Sequence, residues 1–527
     1  MNHHHDHTPS FWERARSDPH RTALIVPDGT AWTAGELLDR CDSISQRLVD
    51  LGVQPGDAVA VAAASHPDTF GVILAVTQLG AYYVPVSNRS TFDELDYVLG
   101  NCAARFLFAE PAVVERAPRL TEIPGLLTVV LGASGRTAGV SSSGAVATID
   151  EFVGSTDLPV SFDRRCGQIM PYTSGTTGYP KGVRRPLPAV GPDEYWGVSS
   201  TASLATLRMQ HDDGVHLVVS PLYHTAIVNL ATSALHDGQR IVIRDRFEPS
   251  DVLRTIEEYR VTSAHMVPTM FHRLLAVDDP ERRVRDLTSV RTLLHGAAPC
   301  PPVVKQRMIE WLGPVVCEYY GASEGGGTFV TAEEWLERPG TVGRPYPGAE
   351  VHILDDDGSS VPSGEVGRVF LKPVGQLFEY HGDPEKTSRS RIGGLITAGD
   401  LGYVDDDGYL FLSGRASDLV ITGGVNVYPA EVEDALFSYP GLADATVVGL
   451  PDDEWGEVVV AIVELRPGWT ASVDTAAELR AHCGGRLARH KLPKRIEFVD
   501  RLPREPNGKI RKAQLVERYR VPPTDGG

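Results

Sequence analysis

The sequence predicts an α/β protein in which a large amino-terminal region of helix-covered mixed sheets is followed by a small α+β unit. Three observations carry this. Short apolar runs alternate with helical segments over most of the chain, the pattern of sheets covered by helices. At 527 residues the chain exceeds what one hydrophobic core usually serves. Beyond Ala416, Ser417 and Asp418, which read as a hinge, the periodicity changes.

In chain order, residues 11–51 read as an entry helix, a short hairpin around Pro27-Asp-Gly-Thr30 and a helix with Leu37, Leu38, Ile44 and Leu48 on one face. Strands follow at 57–64 and 103–109, with a helix at 68–79 between them, and 166–171 reads as a short buried strand. Strands are expected at 215–220, 240–244, 263–267 and 290–294, and a helix at 249–259. After the hinge come a helix at 429–436, strands at 445–449 and 458–465, a helix at about 475–488 and a strand at 495–499. Domain limits are therefore expected at 1–9 for a disordered His-rich tail, 10–415 for the core, 416–418 for the hinge and 419–527 for the small unit.

Composition excludes several classes. A formal charge of −19 and a pI near 5.4 argue against nucleic acid as a partner, which would call for a basic face. The apolar stretch 71–86 contains Thr77, Gln78 and two glycines, which suits a buried helix and turn and not a membrane span. Six scattered cysteines form no C-x-x-C pair, so neither a zinc site nor a disulfide framework is indicated, and a reducing cytoplasm fits.

The most informative stretch is Tyr172-Thr-Ser-Gly-Thr-Thr-Gly-Tyr-Pro-Lys-Gly182. Gly175, Gly178 and Gly182 let successive backbone N–H groups point into one concavity. Thr173, Ser174, Thr176 and Thr177 add hydroxyls, and Lys181 adds a point charge. The loop reads as a phosphate cradle, although it is not the Walker-A pattern, because no Gly-Lys-Ser/Thr closes it. Taken alone, such composition also suits a solvated surface turn.

Further clusters stand at expected strand ends, where ligands bind in open α/β sheets. They are Pro221-Leu-Tyr-His-Thr225, Gly296-Ala-Ala-Pro-Cys300, Tyr319-Tyr-Gly-Ala-Ser-Glu-Gly325 and Thr397-Ala-Gly-Asp-Leu-Gly402, the last with Gly414-Arg415 behind it. Small residues at 296–298 let a flat ring approach the backbone, and an ordinary strand-to-helix turn explains them equally. Tyr320 is placed to stack on a base. Glu324 is costly at the end of an apolar strand unless solvated or paired with a cation. Asp400, expected on a tight turn, is a bidentate acceptor for ribose hydroxyls, with Arg415 assisting. Nearer the carboxyl terminus lie Gly423-Gly-Val-Asn-Val-Tyr-Pro429 and Pro503-Arg-Glu-Pro-Asn-Gly-Lys-Ile510.

In this order, over roughly residues 10 to 515, the motifs resemble those of the acyl-adenylate-forming superfamily: acyl-CoA synthetases, peptide-synthetase adenylation domains and firefly luciferase. The segments 266–272 and 328–343 look like bacterial fatty-acyl or bulky-acyl CoA synthetases. The resemblance implies that the small unit is a mobile lid and that ATP or AMP is held by Thr173, Ser174, Gly175, Thr176, Thr177, Gly178, Lys181, Gly296, Ala297, Ala298, Tyr319, Tyr320, Gly321, Ser323, Asp400 and Arg415. It implies Mg²⁺ on Glu324 and an acyl and coenzyme A channel along His224, Thr225, Gly325, Gly326, Gly423 and Gly424. Lys509 matches the lysine that bridges substrate carboxylate and α-phosphate, so Lys509, Glu324, His224 and Thr176 are the expected catalytic residues.

One departure stands at the hinge: where the family usually places Asp or Lys, this chain has Ser417, followed by Asp418. The expected activity is ATP-dependent activation of a hydrophobic carboxylic acid as acyl-AMP and transfer to coenzyme A. No carrier-protein domain follows the lid, which favours free coenzyme A. The alternatives are transfer to a separate carrier protein, an amine or another nucleophile, and a non-catalytic nucleotide-binding protein.

Overall fold

The computed structural model describes residues 8–132, 145–154, 161–173, 180–210, 213–375, 377–505, 508–510 and 512–520. The chain divides into two compact units. One comprises the described residues of 1–265, 279–294 and 375–389, and the other those of 266–278, 295–374 and 390–527.

In the first unit a parallel sheet runs in the order Ala145–Thr148, Leu127–Val130, Phe106–Ala109, Ala58–Ala62, Tyr82–Pro85, Gln168–Ile169. Its strands read as unbroken apolar runs because both faces are covered. Ala58–Ala62 is buried at every position, and so is the helix Pro67–Gln78, as expected for the stretch that might be mistaken for a membrane span. Among the described residues no helix is long and apolar enough to cross a membrane. The helix Ala34–Asp50 opens on a capping box, with Thr33 and Glu36 satisfying each other's backbone donors. Its predicted face, Leu37, Leu38, Ile44 and Leu48, is buried. A second parallel run joins Thr22–Ile25, Arg240–Ile243, Val215–Val218 and Ser263–Met266. The predicted buried strand at 166–171 is buried throughout but shorter, Gln168–Ile169, and the next strand, Tyr172–Thr173, belongs to a different sheet. Pro171 lies between them and has no N–H to continue a ladder.

The second unit contains an antiparallel run ordered Val316–Gly321, Gly327–Val330, Thr341–Pro345, Leu410–Arg415, Asp400–Val404, Gly367–Lys372. It also contains a smaller sheet in which Leu442–Asp452 and Gly456–Leu465 pair antiparallel and Arg495–Val499 adds in parallel. Alternation separates its two faces. Val447, Val459, Ala461 and Val463 meet the helices Pro429–Phe437 and Val473–Gly484, while Val448, Val460 and Ile462 meet Leu502 and Leu515. The helix predicted at about 475–488 starts earlier, where the Ser472 hydroxyl accepts from the Thr475 N–H, and stops at the Gly484-Gly485 pair.

Gly343 stands where the ladder between Thr341–Pro345 and Leu410–Arg415 shifts register. Its φ is +96°, and a Cβ there would lie 2.1 Å from the Phe329 carbonyl oxygen. Gly343→Ala is expected to lose at least about 2 kcal/mol, from left-handed strain plus the clash. Urea denaturation reads this directly, and an unmoved midpoint would show that the ladder relaxes freely.

Candidate active site

The site residues of the first unit sit at strand and helix starts. Tyr172–Thr173 and Lys181–Arg184 form an antiparallel pair with Thr173 opposite Lys181, extended by Glu379–Tyr380. Lys181 Nζ lies 3.4 Å from Asp383 Oδ2. The predicted cradle residues Ser174, Gly175, Thr176, Thr177 and Gly178 lie outside the described residues. His224 is the N-cap of the helix Thr225–Asp237 and its ring stands 4.3 Å from that of Tyr223.

The second unit draws together residues from four separated segments. Asp400 is the first residue of its strand, where a tight turn was expected, because it pairs in register with Arg415 across the ladder. That pairing sets Arg415 Nε 3.5 Å from Asp400 Oδ1. The Tyr320 hydroxyl donates to Asp400 Oδ2 at 2.7 Å. Burial raises the Tyr320 phenol far above its ordinary range, and Asp400 raises it further, so the hydroxyl stays a donor. Tyr320 therefore does hydrogen-bonding work in addition to presenting a ring, a role that sequence alone did not suggest.

Gly296 meets Tyr319 so closely that a Cβ would fall 2.5 Å from the ring, which joins the second and third predicted clusters. Ala297 holds a left-handed φ of 67° without being glycine. Such strain persists only where the surroundings impose it, and it gathers at ligand sites. At Gly326 the space a side chain would take belongs to Leu371, and at Gly327 to the Tyr320 carbonyl and the Tyr346 ring. Gly325 has a φ of 122°.

Glu324 is 8 % exposed. Lys509 follows Gly508, whose Cβ position is 3.5 Å from Thr269 Oγ1 and 3.6 Å from Val267. The turn is closed by Gly508 N–H donating to the Glu505 carbonyl at 2.8 Å. The Lys509 side chain reaches solvent yet is set in a deep recess. Lost hydration there lowers its pKa, and Arg415 adds to this, while Glu505, Asp400 and Glu324 pull the other way. Lys509, Arg415, Asp400, Glu324 and Tyr320 thus act on one another electrostatically within one compact unit.

Hinge and channel residues are placed as follows. Ala416–Asp418 is a 3-10 turn in which the Ser417 hydroxyl donates to Asp418 at 3.0 Å. Gly423 has a φ of 57° and its Cβ position is 2.8 Å from the Trp455 ring, whereas that of Gly424 is open.

Behind the site lies an ion pair that sequence reasoning missed. Lys305 is 0 % exposed and its Nζ donates to Glu318 Oε2 at 2.6 Å. His295 Nε2 stands 3.6 Å from the same oxygen. Burial pushes the Glu318 carboxyl up, and Lys305 offsets only part of this. Glu318 directly precedes Tyr319 and Tyr320, and His295 directly precedes Gly296, so the approach of His295 to Glu318 joins the two segments that carry the expected adenine wall. A signal was present: Lys305 shares the helical face of Met308 and Ile309, three and four residues on, where a charge is out of place.

The chain matches the model of the AMP-binding enzyme over residues 11–380 and that of the AMP-binding enzyme C-terminal domain over 431–509. It belongs to the adenylate-forming ligase superfamily. A feruloyl-CoA synthase from an Amycolatopsis species is 35 % identical over 96 % of this chain and 97 % of its own. A fatty acid–[acyl-carrier-protein] ligase, ScoC, from Streptomyces coeruleorubidus is 31 % identical over 97 % and 96 %. Among solved structures, the amide bond synthetase McbA from Marinactinospora thermotolerans superposes with a TM-score of 0.81 at 27 % identity, covering 97 % of this chain and 99 % of that one. The fold is the expected one, a large amino-terminal α/β region with a carboxyl-terminal domain.

Members of this superfamily use ATP and typically Mg²⁺. The residues present fit such an ion. Among the described residues no group of three or more His, Cys, Asp or Glu could cage a metal, and the single buried Glu324 suits Mg²⁺, which keeps phosphate and water as most of its ligands.

Lys305→Met leaves the Glu318 carboxyl buried without its cation and is expected to lower stability by about 3–5 kcal/mol. Adding Glu318→Leu should restore much of that loss. A double-mutant cycle by chemical denaturation reads both, and additive losses would mean that the two groups do not interact.

Proposed function

We propose that the protein is an AMP-forming acid–thiol ligase that activates a hydrophobic carboxylic acid, aliphatic or aromatic, as its acyl-adenylate and passes the acyl group to coenzyme A. The observation that carries this is the gathering of Lys509, Arg415, Asp400 and Glu324 from distant segments into one recess. It is supported by the feruloyl-CoA synthase at 35 % identity over nearly the whole length of both chains.

In the first step a carboxylate oxygen attacks the α-phosphorus, the bond from that phosphorus to the bridging oxygen breaks, and pyrophosphate leaves. Two anions must be brought together, so positioning and charge neutralisation supply most of the acceleration. Lys509 holds the carboxylate against the α-phosphate. Asp400 accepts the ribose hydroxyls, with Arg415 and Tyr320 fixing its orientation. Gly296, Ala297, Ala298 and Tyr319 line the adenine, and Gly321 and Ser323 stand beside the nucleotide. Thr173, Ser174, Gly175, Thr176, Thr177, Gly178 and Lys181 take the leaving pyrophosphate, and His224 and Thr225 line the carboxylate pocket with Gly325 and Gly326. Glu324 would hold Mg²⁺, which offsets phosphate charge.

In the second step the thiol sulfur attacks the acyl carbonyl carbon, its proton goes to solvent, the bond to the phosphate oxygen breaks and AMP leaves. Lys509 withdraws for this. A lid of residues 419–527, pivoting at Ser417 and Asp418 on a core of residues 10–415, brings Gly423 and Gly424 to the channel in its place. Six cysteines, none of them in a disulfide, suit a reducing cytoplasm. A second acceptor class is favoured by the amide bond synthetase and carrier-protein ligase similarities, in which an amine or a carrier thiol would replace coenzyme A.

ATP–pyrophosphate exchange over a panel of acids tests the first step. Product analysis with and without coenzyme A separates the acceptors, and no exchange with any acid would leave a nucleotide-binding protein without this activity. Lys509→Ala is expected to cut adenylation about a hundred- to a thousandfold while sparing thioester formation from supplied acyl-AMP. Equal loss of both half-reactions would count against the lid.

A further inference from the structure

A cavity of about 260 Å³ within the second unit lies away from the residues assigned above. Its walls come from the helices Pro268–Leu275 and Pro302–Leu312 on one side, and from the end of Pro429–Phe437, the turn after it and Arg466 on the other. Arg307 and Arg466 both line it, near enough that, after burial has lowered the Arg466 pKa, the Arg307 guanidinium lowers it further. Neither has a carboxylate partner among the described residues. The Arg466 side chain donates to the Leu442 carbonyl, at 2.8 Å. The neighbouring acid, Asp444, is already engaged by Arg504 through two bonds of 2.5 and 2.7 Å.

Rings line the same cavity beside each arginine. The rings of His272 and Phe437 stand 5.5 Å apart at 42°, with Tyr439 and Pro440 beside them. His272 Nε2 is buried and has no hydrogen-bond partner. Burial brings the His272 pKa down to about 4, so the ring is neutral and its nitrogens serve as neutral hydrogen-bonding groups. Two unmatched cations in an acidic protein carry a standing repulsion that an anion removes, and guanidinium pairs match phosphoryl oxygens well. The flat walls suit an unsaturated body attached to that anion.

We propose that Arg307, Arg466 and His272 form a second ligand site, specific for a phosphomonoester carried on a flat aromatic or heteroaromatic body. Because its walls belong to both the matched AMP-binding region and the matched C-terminal domain, a bound ligand favours the arrangement in which Lys509 stands beside Glu324 and Asp400. The ligand therefore slows the second half-reaction. This last consequence rests on the lid proposed above, whereas the site itself does not.

The test is calorimetric titration of phenyl phosphate into the full chain with the nucleotide site saturated by AMP, using phenol and inorganic phosphate as comparators. Phenyl phosphate is expected to bind one per chain, phenol not at all, and inorganic phosphate more weakly. Arg307→Glu, a change at an exposed helix position, and Arg466→Gln should each weaken phenyl phosphate at least tenfold while leaving ATP–pyrophosphate exchange within twofold. Absence of phenyl phosphate binding, or equal affinity in both variants, overturns the site. If the variants lose binding and phenyl phosphate leaves thioester formation from supplied acyl-AMP untouched, the site stands and its coupling to the lid fails.

Discussion

The hydrogen bond from Tyr320 to Asp400 ties the strand Val316–Gly321 to a strand of the same sheet that has three others between and begins eighty residues further on than Tyr320. Its rigidity has a cause on each side. Asp400 is held by ladder register opposite Arg415, and the strand bearing Tyr320 is anchored two residues earlier by the buried Lys305–Glu318 pair. Removing water from such a pair is costly unless both charges are matched, so the geometry tolerates little slack. The expected ribose acceptor and adenine wall inherit that stiffness.

Around this bond the charges alternate in sign. Asp400 and Glu324 are acids and Arg415 and Lys509 are bases, in a chain of net charge −19. Lys509 is the most exposed to change. Burial and Arg415 lower its pKa while Glu505, Asp400 and Glu324 raise it, so the ammonium sits among charges of both signs. Arg307 and Arg466 likewise share a cavity, here with aromatic rings. The two places differ in what surrounds the cations: carboxylates at the first, rings at the second.

Much of the site was legible because motif chemistry is local. Glycine runs, hydroxyls beside a lysine and an acid after an aromatic–glycine pair announce themselves within a few residues. Elements with strong periodicity or clear caps were legible too, including the buried face of Ala34–Asp50 and the strand Arg495–Val499. Less legible were features set by partners distant in sequence. The passage of the chain from one sheet at Gln168–Ile169 to another at Tyr172–Thr173 and the opening of a strand at Asp400 depend on which strand lies alongside, and Tyr320 acting as a donor depends on an acid eighty residues away. Lys305 was overlooked because a lysine on an amphipathic helix is usually solvated, and only the carboxylate of Glu318 beneath it explains its burial.

By itself, the amino-acid sequence determined the class of fold, the order of the chemical motifs and the family they belong to, since each is written in spacing and side-chain type. Tertiary structure alone decided which motif residues meet. It set Lys509 among Arg415, Asp400 and Glu324, joined Gly296 to Tyr319 and brought two arginines to one cavity with aromatic rings. The reason is that a charge's energy depends on what lies within a few ångströms, and in a folded chain those neighbours come from segments that sequence order keeps far apart.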